Sequence, residues 1–243
     1  MNLNSATRRF VSRSKADRCC RRRFGLLAVL PLPDVDASLR EIEYAFDSLK
    51  AVGVGLLSNW KDKWIGDSAF TPLLDELNRR KAFVYTHGAA PGCCGGSFVP
   101  GVPEITVEYN TDVSRAIVSL LTSGTADRTP NVTYALSHGG GTIPYMISRF
   151  EDLVRRRKDE YPGGAAALFR QFYYEIAQGN APGMLDGLLR IIPVSHVLFG
   201  SDYPYRLGTE AVDGLADYKF KEADLRAIEY ENAIRLMPRL KMS

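Results

Sequence analysis

Short apolar runs alternate with longer amphipathic segments six times along the 243-residue chain, and this alternation is what most constrains the fold. The runs lie at residues 24–30, 54–57, 82–86, 132–137, 172–176 and 197–200. They are apolar at nearly every position rather than at alternate ones, which is typical of parallel strands that are covered on both faces. Regular strand–helix alternation predicts a parallel α/β fold, either a barrel or a doubly wound sheet.

The segments between these runs carry apolar residues at helical spacing. Helices are predicted at residues 38–50, from Thr71 onward, and at 111–123, 143–157, 183–190 and 221–237. Ser38 and Glu41 have the spacing of a capping box, so we expect Ser38 to be the N-cap of the first helix. Pro72 is compatible with the first turn of the second helix. The stretch rich in glycine, proline and cysteine that follows His87 is predicted as a loop to about Glu108.

Composition and charge describe an ordinary globular chain with a basic start. Hydrophobic residues are 45% of the chain, and the net charge of +3 is too small to indicate binding to nucleic acid or to a membrane. We interpret the basic residues 1–22 as a solvated segment, with an organelle transit peptide as the alternative. We therefore expect one domain at residues 23–243, and no apolar run approaches the ~18 residues that span a bilayer.

The four cysteines form two adjacent pairs, Cys19-Cys20 and Cys93-Cys94. Adjacent pairs have neither the spacing of a CxxC redox motif nor that of a zinc finger. No disulfide framework is indicated, so we expect reduced thiols and a cytoplasmic protein.

Three polar residues, His87, His138 and Asp202, follow directly on predicted strands. The active site of a parallel barrel is built at the carboxyl ends of its strands, where side chains from separate strands converge. Imidazole and carboxylate groups are ligands that divalent metals accept. The structural alternatives are hydrogen-bonded histidines and an aspartate in a turn. The third histidine, His196, precedes a strand and is expected at the opposite rim.

Two local motifs carry a resemblance to a known family. His138 lies in SHGGGTIPY at residues 137–145, and Asp202 lies in VLFGSDYPY at residues 197–205. Over about residues 23–236 the chain resembles the amidohydrolase-related family. That family includes aminocarboxymuconate-semialdehyde decarboxylase, resorcylate decarboxylases and fungal methylsalicylate decarboxylases. The region from Pro100 to residues 123–125 resembles the methylsalicylate type in particular.

The resemblance implies a (β/α)8 barrel and assigns roles to the strand-end residues. His87 matches a metal-ligand histidine, and His138 matches a catalytic histidine that acts beside the metal in proton transfer. Asp202 matches an aspartate that binds the metal and exchanges a proton with metal-bound water. Tyr203 and Tyr205 lie where family members place an aromatic side chain against the substrate ring, with packing at the barrel rim as the alternative. The metal is expected to be zinc first and manganese second, and a homodimer is implied.

Two further residues are candidates for substrate binding. Trp60 lies in a loop that follows the second predicted strand, where it would act as an aromatic lid or pack at the rim. Arg206 follows the aspartate motif, where it would meet a substrate carboxylate or form a surface salt bridge. The expected substrate is a small carboxylic acid.

The chain also departs from the family pattern. Members begin with a strand ending in His-x-His, which supplies two more metal ligands, and this chain contains no such pair. Its first predicted strand, at residues 24–30, matches the third strand of the family barrel, so we expect six strands and the absence of the first two. Two ligands hold zinc weakly compared with three or four. We therefore expect a truncated gene product or gene model whose catalysis is impaired.

The leading functional prediction is a metal-dependent decarboxylase that acts on an aromatic or unsaturated carboxylic acid such as a hydroxybenzoate. Two alternatives stay open at this point. The same residues would also activate water for hydrolysis of a lactone or amide. The second alternative is an inactive barrel fragment that binds a partner.

Overall fold

The computed structural model describes residues 24–92 and 99–240. Its main sheet contains six parallel strands that lie side by side in chain order. The strands are β1 (Leu27–Val29), β2 (Gly53–Leu57), β3 (Phe83–His87), β4 (Thr133–Leu136), β5 (Tyr173–Glu175) and β6 (Val197–Leu198). All six predicted strands are present, with bounds that differ by up to three residues. The prediction of a parallel α/β fold is confirmed.

Helices connect successive strands and cover the outer face of the sheet. The longer ones are α1 (Val35–Glu43), α2 (Thr71–Arg79), α3 (Glu104–Thr122), α4 (Ile143–Arg156), α5 (Pro182–Leu189) and α6 (Gly208–Tyr218). Shorter helical segments are Tyr44–Ser48, Ser68–Phe70, Thr125–Arg128, His138–Gly140, Gly164–Phe169, Val194–His196, Glu222–Arg226, Ala227–Glu231, Asn232–Leu236 and Pro238–Leu240. A two-residue hairpin pairs Asn59–Trp60 with Lys63–Trp64 after β2. In the described parts of the chain, no helix combines the length and apolar character needed to cross a membrane.

The start of α1 differs from the prediction, which was wrong in choosing Ser38 as the cap. The N-cap is Asp34, whose side chain accepts a hydrogen bond from the backbone N–H of Ala37 at 2.9 Å. Ser38 lies inside the helix, where its hydroxyl donates to the Asp34 carbonyl at 2.7 Å. Both residue types cap helices well, and spacing alone favoured the serine because a glutamate follows it at the capping-box position.

One other helix boundary differs clearly from expectation, and one helix was not expected. Helix α3 begins at Glu104, so the predicted loop ends before Glu108. Pro103 adopts extended backbone just ahead of it (φ −61°, ψ 142°), and a proline is tolerated at a helix start because the first N–H groups have no partner inside the helix. Helix α6 was not predicted. All four cysteines lie outside the described residues, so the prediction of reduced thiols is not addressed.

The two faces of the sheet are buried to different extents. Residues on the outer face are buried beneath the helices: Ala28, Val54, Leu56, Val84, Tyr134, Leu136, Tyr174 and Val197. On the inner face, Phe83, Ala135 and Leu198 form a small separate cluster with partly buried neighbours. The two hydrophobic clusters therefore correspond to the outer layer and the interior of a barrel-like sheet.

The inner face is open beside β1 and β2. Among the described residues, β1 pairs only with β2 and β6 pairs only with β5, so these two strands are the edges of the sheet. Val29 and Leu57 point to the inner face and are 55% and 46% exposed. A Cβ atom added at Gly55 would meet no atom within 4 Å. The described strands thus leave the inner face open on this side.

The C-terminal segment, from Asn232 onward, lies across the amino-terminal ends of the strands. Asn232 donates from Nδ2 to the carbonyls of Val194 and Val197, at 2.9 and 2.8 Å, just before and at the start of β6. Leu236 and Met237 pack against the inner cluster. This end of the interior is therefore covered, and the carboxyl ends of the strands are where a site is accessible.

Candidate active site

The structure brings two of the predicted residues into direct contact. His87 is the last residue of β3, and His138 lies two residues beyond the end of β4. Their Nε2 atoms are 3.2 Å apart, and the ring centroids are 5.0 Å apart with an interplanar angle of 75°. Neighbouring parallel strands deliver their last side chains to the same edge of the sheet, which is why two residues 51 positions apart in the chain meet here.

Each histidine is oriented by a backbone carbonyl. The Nδ1 atom of His87 donates to Gly88 O at 2.7 Å, and that of His138 donates to Ala177 O at 2.8 Å. With the proton held on Nδ1, a neutral imidazole presents Nε2 as an unprotonated nitrogen. Burial lowers the pKa of His87 below its ordinary value, which favours that neutral form. Two unprotonated nitrogens therefore face each other unless a proton or another cation lies with them.

The backbone around His138 is a left-handed turn. His138 has φ 52°, and the three glycines after it have φ between 63° and 79°. A Cβ at Gly141 would lie 1.9 Å from the carbonyl oxygen of Asn110, so only glycine allows this close approach to α3. The SHGGG motif thus fixes the imidazole by the path of the backbone as well as by hydrogen bonding.

Asp202 lies beyond the end of β6 and also has a positive φ of 58°. Gln178 donates from Nε2 to Asp202 Oδ2 at 2.6 Å. The negative charge of Asp202 opposes the lowering of the His87 pKa, so the carboxylate and the histidine share one electrostatic environment. The three residues lie at or just beyond the carboxyl ends of β3, β4 and β6, and their role as one site stays a prediction.

A family model described as an amidohydrolase matches residues 8–239. The chain belongs to the amidohydrolase family. The resemblance inferred from the SHGGGTIPY and VLFGSDYPY motifs is confirmed by this match and by its relatives.

Several relatives of this amidohydrolase are fungal decarboxylases. It is 35% identical over 237 residues to the decarboxylase yanB of Aspergillus niger, covering 90% of this chain and 64% of that protein. It is 34% identical over 202 residues to the decarboxylase macB of Penicillium terrestre, covering 75% and 58%. It is 33% identical over 227 residues to the 6-methylsalicylic acid decarboxylase of Penicillium expansum, covering 90% and 70%. The chain thus spans less than two thirds of the length of yanB and of macB.

Solved structures confirm the fold of this amidohydrolase. The 2,6-dihydroxybenzoate decarboxylase from Rhizobium superposes with a TM-score of 0.81 at 23% identity, covering 95% of this chain and 76% of that one. A dihydroxybenzoic acid decarboxylase from Polaromonas, solved with bound manganese and the inhibitor 2-nitroresorcinol, also gives 0.81, at 20% identity with 99% and 76% coverage. The predicted barrel fold is confirmed, with six of its strands in the described residues.

Sequence patterns missed a buried carboxyl group in the interior of the amidohydrolase. Glu175, at the end of β5, accepts from the Tyr85 hydroxyl at 3.0 Å and from the backbone N–H of Ala177. Burial raises the pKa of Glu175, and the same desolvation together with the neighbouring carboxylate raises that of Tyr85. The available signal was a single acidic residue inside the apolar run FYYEI. Because the Ala177 carbonyl orients His138, Glu175 reaches the site through the backbone of a single residue, Ala177.

The predicted substrate-binding residues occupy more peripheral positions. Tyr203 and Tyr205 are 77% and 83% exposed at the rim after β6. Arg206 forms an exposed ion pair with Glu210 at 3.4 Å. Trp60 packs edge-to-face on Phe70, with ring centroids 5.2 Å apart. Their roles toward substrate stay predictions.

His196 lies where it was expected, at the amino-terminal end of β6. Its Nδ1 atom donates to Phe172 O at 3.0 Å. Its ring stacks on Tyr173, with centroids 4.5 Å apart. It is therefore a structural residue, distant from the strand ends that carry the other two histidines.

The donor set fits a divalent metal in part. Two facing imidazole nitrogens at 3.2 Å have nearly the separation, about 3.3 Å, of two ligands on a tetrahedral ion with zinc–nitrogen bonds of about 2.0–2.1 Å. In residues 24–92 and 99–240, however, no three His, Cys, Asp or Glu side chains come together as metal ligands. The described residues therefore supply part of a ligand set rather than a closed one.

Proposed function

We propose that this member of the amidohydrolase family is a metal-dependent carboxy-lyase that acts on an aromatic carboxylic acid of the hydroxybenzoate class. The observation that carries the proposal is the His87–His138 pair, in which both Nδ1 atoms donate to backbone carbonyls and the two Nε2 atoms face each other at the carboxyl ends of β3 and β4. Relatives at 33–35% identity that are named as decarboxylases support this reaction over others that the same fold accommodates.

The ligand residues in this proposal are His87 and Asp202, with His138 beside them. A divalent ion, zinc or manganese, would act there as a Lewis acid that holds the carboxylate and a neighbouring oxygen of the substrate. The lowered pKa of His87 supports the neutral form that a metal ligand requires. Gln178 holds Asp202 in a fixed orientation through its amide.

His138 is proposed to move the proton. In its imidazolium form, His138 keeps its Nδ1–H hydrogen-bonded to Ala177 O. It transfers the Nε2 proton to the ring carbon that bears the carboxylate. The bond between that carbon and the carboxylate then breaks, and its electron pair restores the aromatic ring. Carbon dioxide leaves, and the neutral imidazole is ready to regain a proton from solvent.

The rim residues would contact the rest of the substrate. Tyr203 and Tyr205 offer exposed rings after β6, and Arg206 offers a cation that would have to leave Glu210 to meet a carboxylate. Trp60 would contribute through the position of its loop, since its ring packs on Phe70. The proposal further includes a homodimer and a cytoplasmic location, for which sedimentation of the purified chain and cell fractionation are the tests.

The deciding experiment is a turnover assay with the purified chain. Wild type loaded with Mn²⁺ or Zn²⁺ is mixed with 6-methylsalicylate or 2,6-dihydroxybenzoate, and the carbon dioxide released is measured. Release that is abolished by chelation is expected. A ring-opened or hydrolysed product without carbon dioxide from a lactone or amide would favour the hydrolase alternative. Absence of turnover together with a captured protein partner would favour a binding role.

A further inference from the structure

A buried carboxylate on helix α3 accepts four hydrogen bonds. The Asp112 side chain is fully buried. Its Oδ2 atom accepts from the Ser58 hydroxyl and from Asn59 Nδ2 at 2.6 Å. Its Oδ1 atom accepts from Trp64 Nε1 at 2.8 Å and more distantly from Arg115 Nη1 at 3.4 Å. Three of the donors come from the loop and hairpin after β2, some 50 residues earlier in the chain, and Arg115 lies in α3 itself.

The Oδ2 branch of this network continues to the backbone that follows His87, from His87 O to Ala89 O. The Ser58 hydroxyl accepts from the Ala89 N–H at 2.9 Å, and Asn59 Nδ2 also donates to Ala89 O at 3.2 Å. The Ser58 N–H donates to His87 O at 2.8 Å. The three peptide units that follow His87, from 87–88 to 89–90, are therefore held by Ser58 and Asn59. The Oδ1 branch, through Trp64, ends in the hairpin.

Only a carboxylate satisfies all of these donors at once. Three of the four are neutral groups, and the single cation, Arg115, has a side chain that is 39% exposed. A buried polar group is costly unless it is hydrogen-bonded, so Asp112 depends on Ser58, Asn59 and Trp64. The Ser58 hydroxyl donates its hydrogen bond to Asp112. The lone pairs of the hydroxyl oxygen are therefore left to accept a hydrogen bond from the Ala89 N–H. An amide at position 112 would turn an NH2 group toward one pair of donors.

We propose that Asp112 is a positioning residue for His87: through Ser58 and Asn59 it fixes the loop that aims His87 Nε2 at the site. The inference rests on the proposed function only in assigning a metal to that nitrogen. Residues that orient a metal ligand typically change metal affinity or activity by about 10–100-fold when replaced. The network contains no ligand of its own, so its effect reaches the site only through the backbone of His87 to Ala89.

Two readouts test the role of Asp112. Amide exchange at Ala89 is measured by NMR in the metal-free protein, and the dissociation constant for Mn²⁺ is measured by calorimetry. Asp112→Ala and Ser58→Ala break the branch that reaches Ala89. Trp64→Phe and Arg115→Ala are matched controls, because they remove donors to Oδ1 and leave the Ser58 branch intact. Thermal unfolding of all four variants separates local from global loosening.

Asp112→Ala and Ser58→Ala are each expected to speed Ala89 exchange about 10-fold or more and to weaken Mn²⁺ binding by about 10-fold or more. Both controls should stay near wild type, even where their loss of thermal stability is similar. Equal effects in all four variants, or unchanged exchange in Ser58→Ala, would overturn the inference. Failure of the wild type to bind Mn²⁺ would contradict the proposed function, and exchange in the metal-free protein would still decide whether Asp112 orders the His87 loop.

Discussion

His138 combines a left-handed backbone conformation with an imidazole whose Nδ1 is hydrogen-bonded to the Ala177 carbonyl. Left-handed conformations are uncommon for residues with a Cβ, and asparagine is among the types that tolerate them best. The Ala177 carbonyl selects the tautomer. The side chain and the backbone of this residue can therefore be tested separately.

Replacing His138 by Asn should remove the proton-transfer group while keeping the turn. We expect the rate of carbon dioxide release to fall by about 10²–10⁴-fold, the usual contribution of a positioned acid or base. Circular dichroism and the unfolding midpoint should change little, since Asn accepts a positive φ. His196→Asn serves as the control, because His196 lies at the other end of the strands. Retention of more than half the activity in His138→Asn would contradict the role proposed for His138.

Glu175 should make stability depend on pH. Its burial raises the pKa above the ordinary value of 4.5, despite hydrogen bonds that oppose the shift. Below that ordinary value the carboxyl is protonated in both the folded and the unfolded chain. Above it the unfolded chain releases the proton while the folded chain retains it, so the stability contributed by Glu175 falls as the pH rises.

Denaturant unfolding of wild type and Glu175→Gln between pH 4 and pH 8 tests this expectation. The free energy of unfolding of wild type, relative to the variant, should be greatest near pH 4 and should decrease toward pH 8. A difference that is constant with pH would show that the carboxyl titrates alike in both states. Tyr85→Phe, which removes the hydroxyl that donates to Glu175, should enlarge the decrease.

At the scale of elements, the turn from His138 to Gly141 connects β4 to α4 and packs against α3, and its glycines differ in what surrounds them. A Cβ at Gly141 meets the backbone oxygen of Asn110, which cannot move without displacing α3. A Cβ at Gly139 meets the terminal methyl of Met184, which is flexible. Each glycine also has a positive φ that alanine adopts only with strain.

Gly141→Ala should therefore be the more damaging of two matched substitutions. We expect Gly139→Ala to cost about 1–2 kcal/mol from its left-handed backbone. Gly141→Ala should cost about 1–3 kcal/mol more because of the clash with backbone. Denaturant unfolding of both variants gives the comparison. Equal costs would mean that α3 yields to the added methyl group.

The start of α1 provides a second test at this scale. Asp34→Ala removes the side-chain acceptor for the Ala37 N–H, and the expected loss of stability is about 0.5–2 kcal/mol. Asp36→Ala, two residues further into the same first turn, removes a charge without removing the cap. Chemical denaturation of both should give the larger loss for Asp34→Ala; the reverse order would show that charge in the first turn outweighs capping.

The sequence predicts elements whose signal is local and misses those that depend on the fold. The strands follow from apolar runs, and His87, His138 and Asp202 follow from their positions at strand ends. Glu175 and Tyr85 meet only because β3, β4 and β5 lie side by side in a particular register. Asp112 and Ser58 are brought together by the packing of α3 on the loop after β2. Ser38 and Asp34 show that two good local caps compete, and the structure uses the earlier one.

At the scale of the whole molecule, the inner face of the sheet is exposed on one side. Val29 and Leu57 lie there at the ends of β1 and β2, and β1 is an edge strand of the described sheet. Exposed apolar side chains on an unpaired parallel edge favour association with another surface. The tendency to self-associate should therefore arise from this side of the molecule.

Val29→Lys should reduce concentration-dependent association, because a charge on an edge strand opposes pairing. Sedimentation velocity at low and high protein concentration measures the effect. Val212→Lys on helix α6 is the matched control, since Val212 is similarly exposed, at 48%, but lies outside the sheet. If both variants associate alike, contact through the inner face is not the cause. Little change in thermal stability is expected for either, as both valines are half-exposed.

The C-terminal segment that covers the amino-terminal end of the strands has a kinetic consequence. With Leu236 and Met237 packed against the inner cluster, the amino-terminal end of the described strands is covered, and small molecules approach the His87–His138 pair from the carboxyl end and from the open side beside β1 and β2. An incoming acid and a departing aromatic product would then occupy the same space beside the two histidines, one after the other. On the proposed function, the decarboxylated product should act as a competitive inhibitor of the next turnover, and a product that dissociates more slowly should inhibit more strongly.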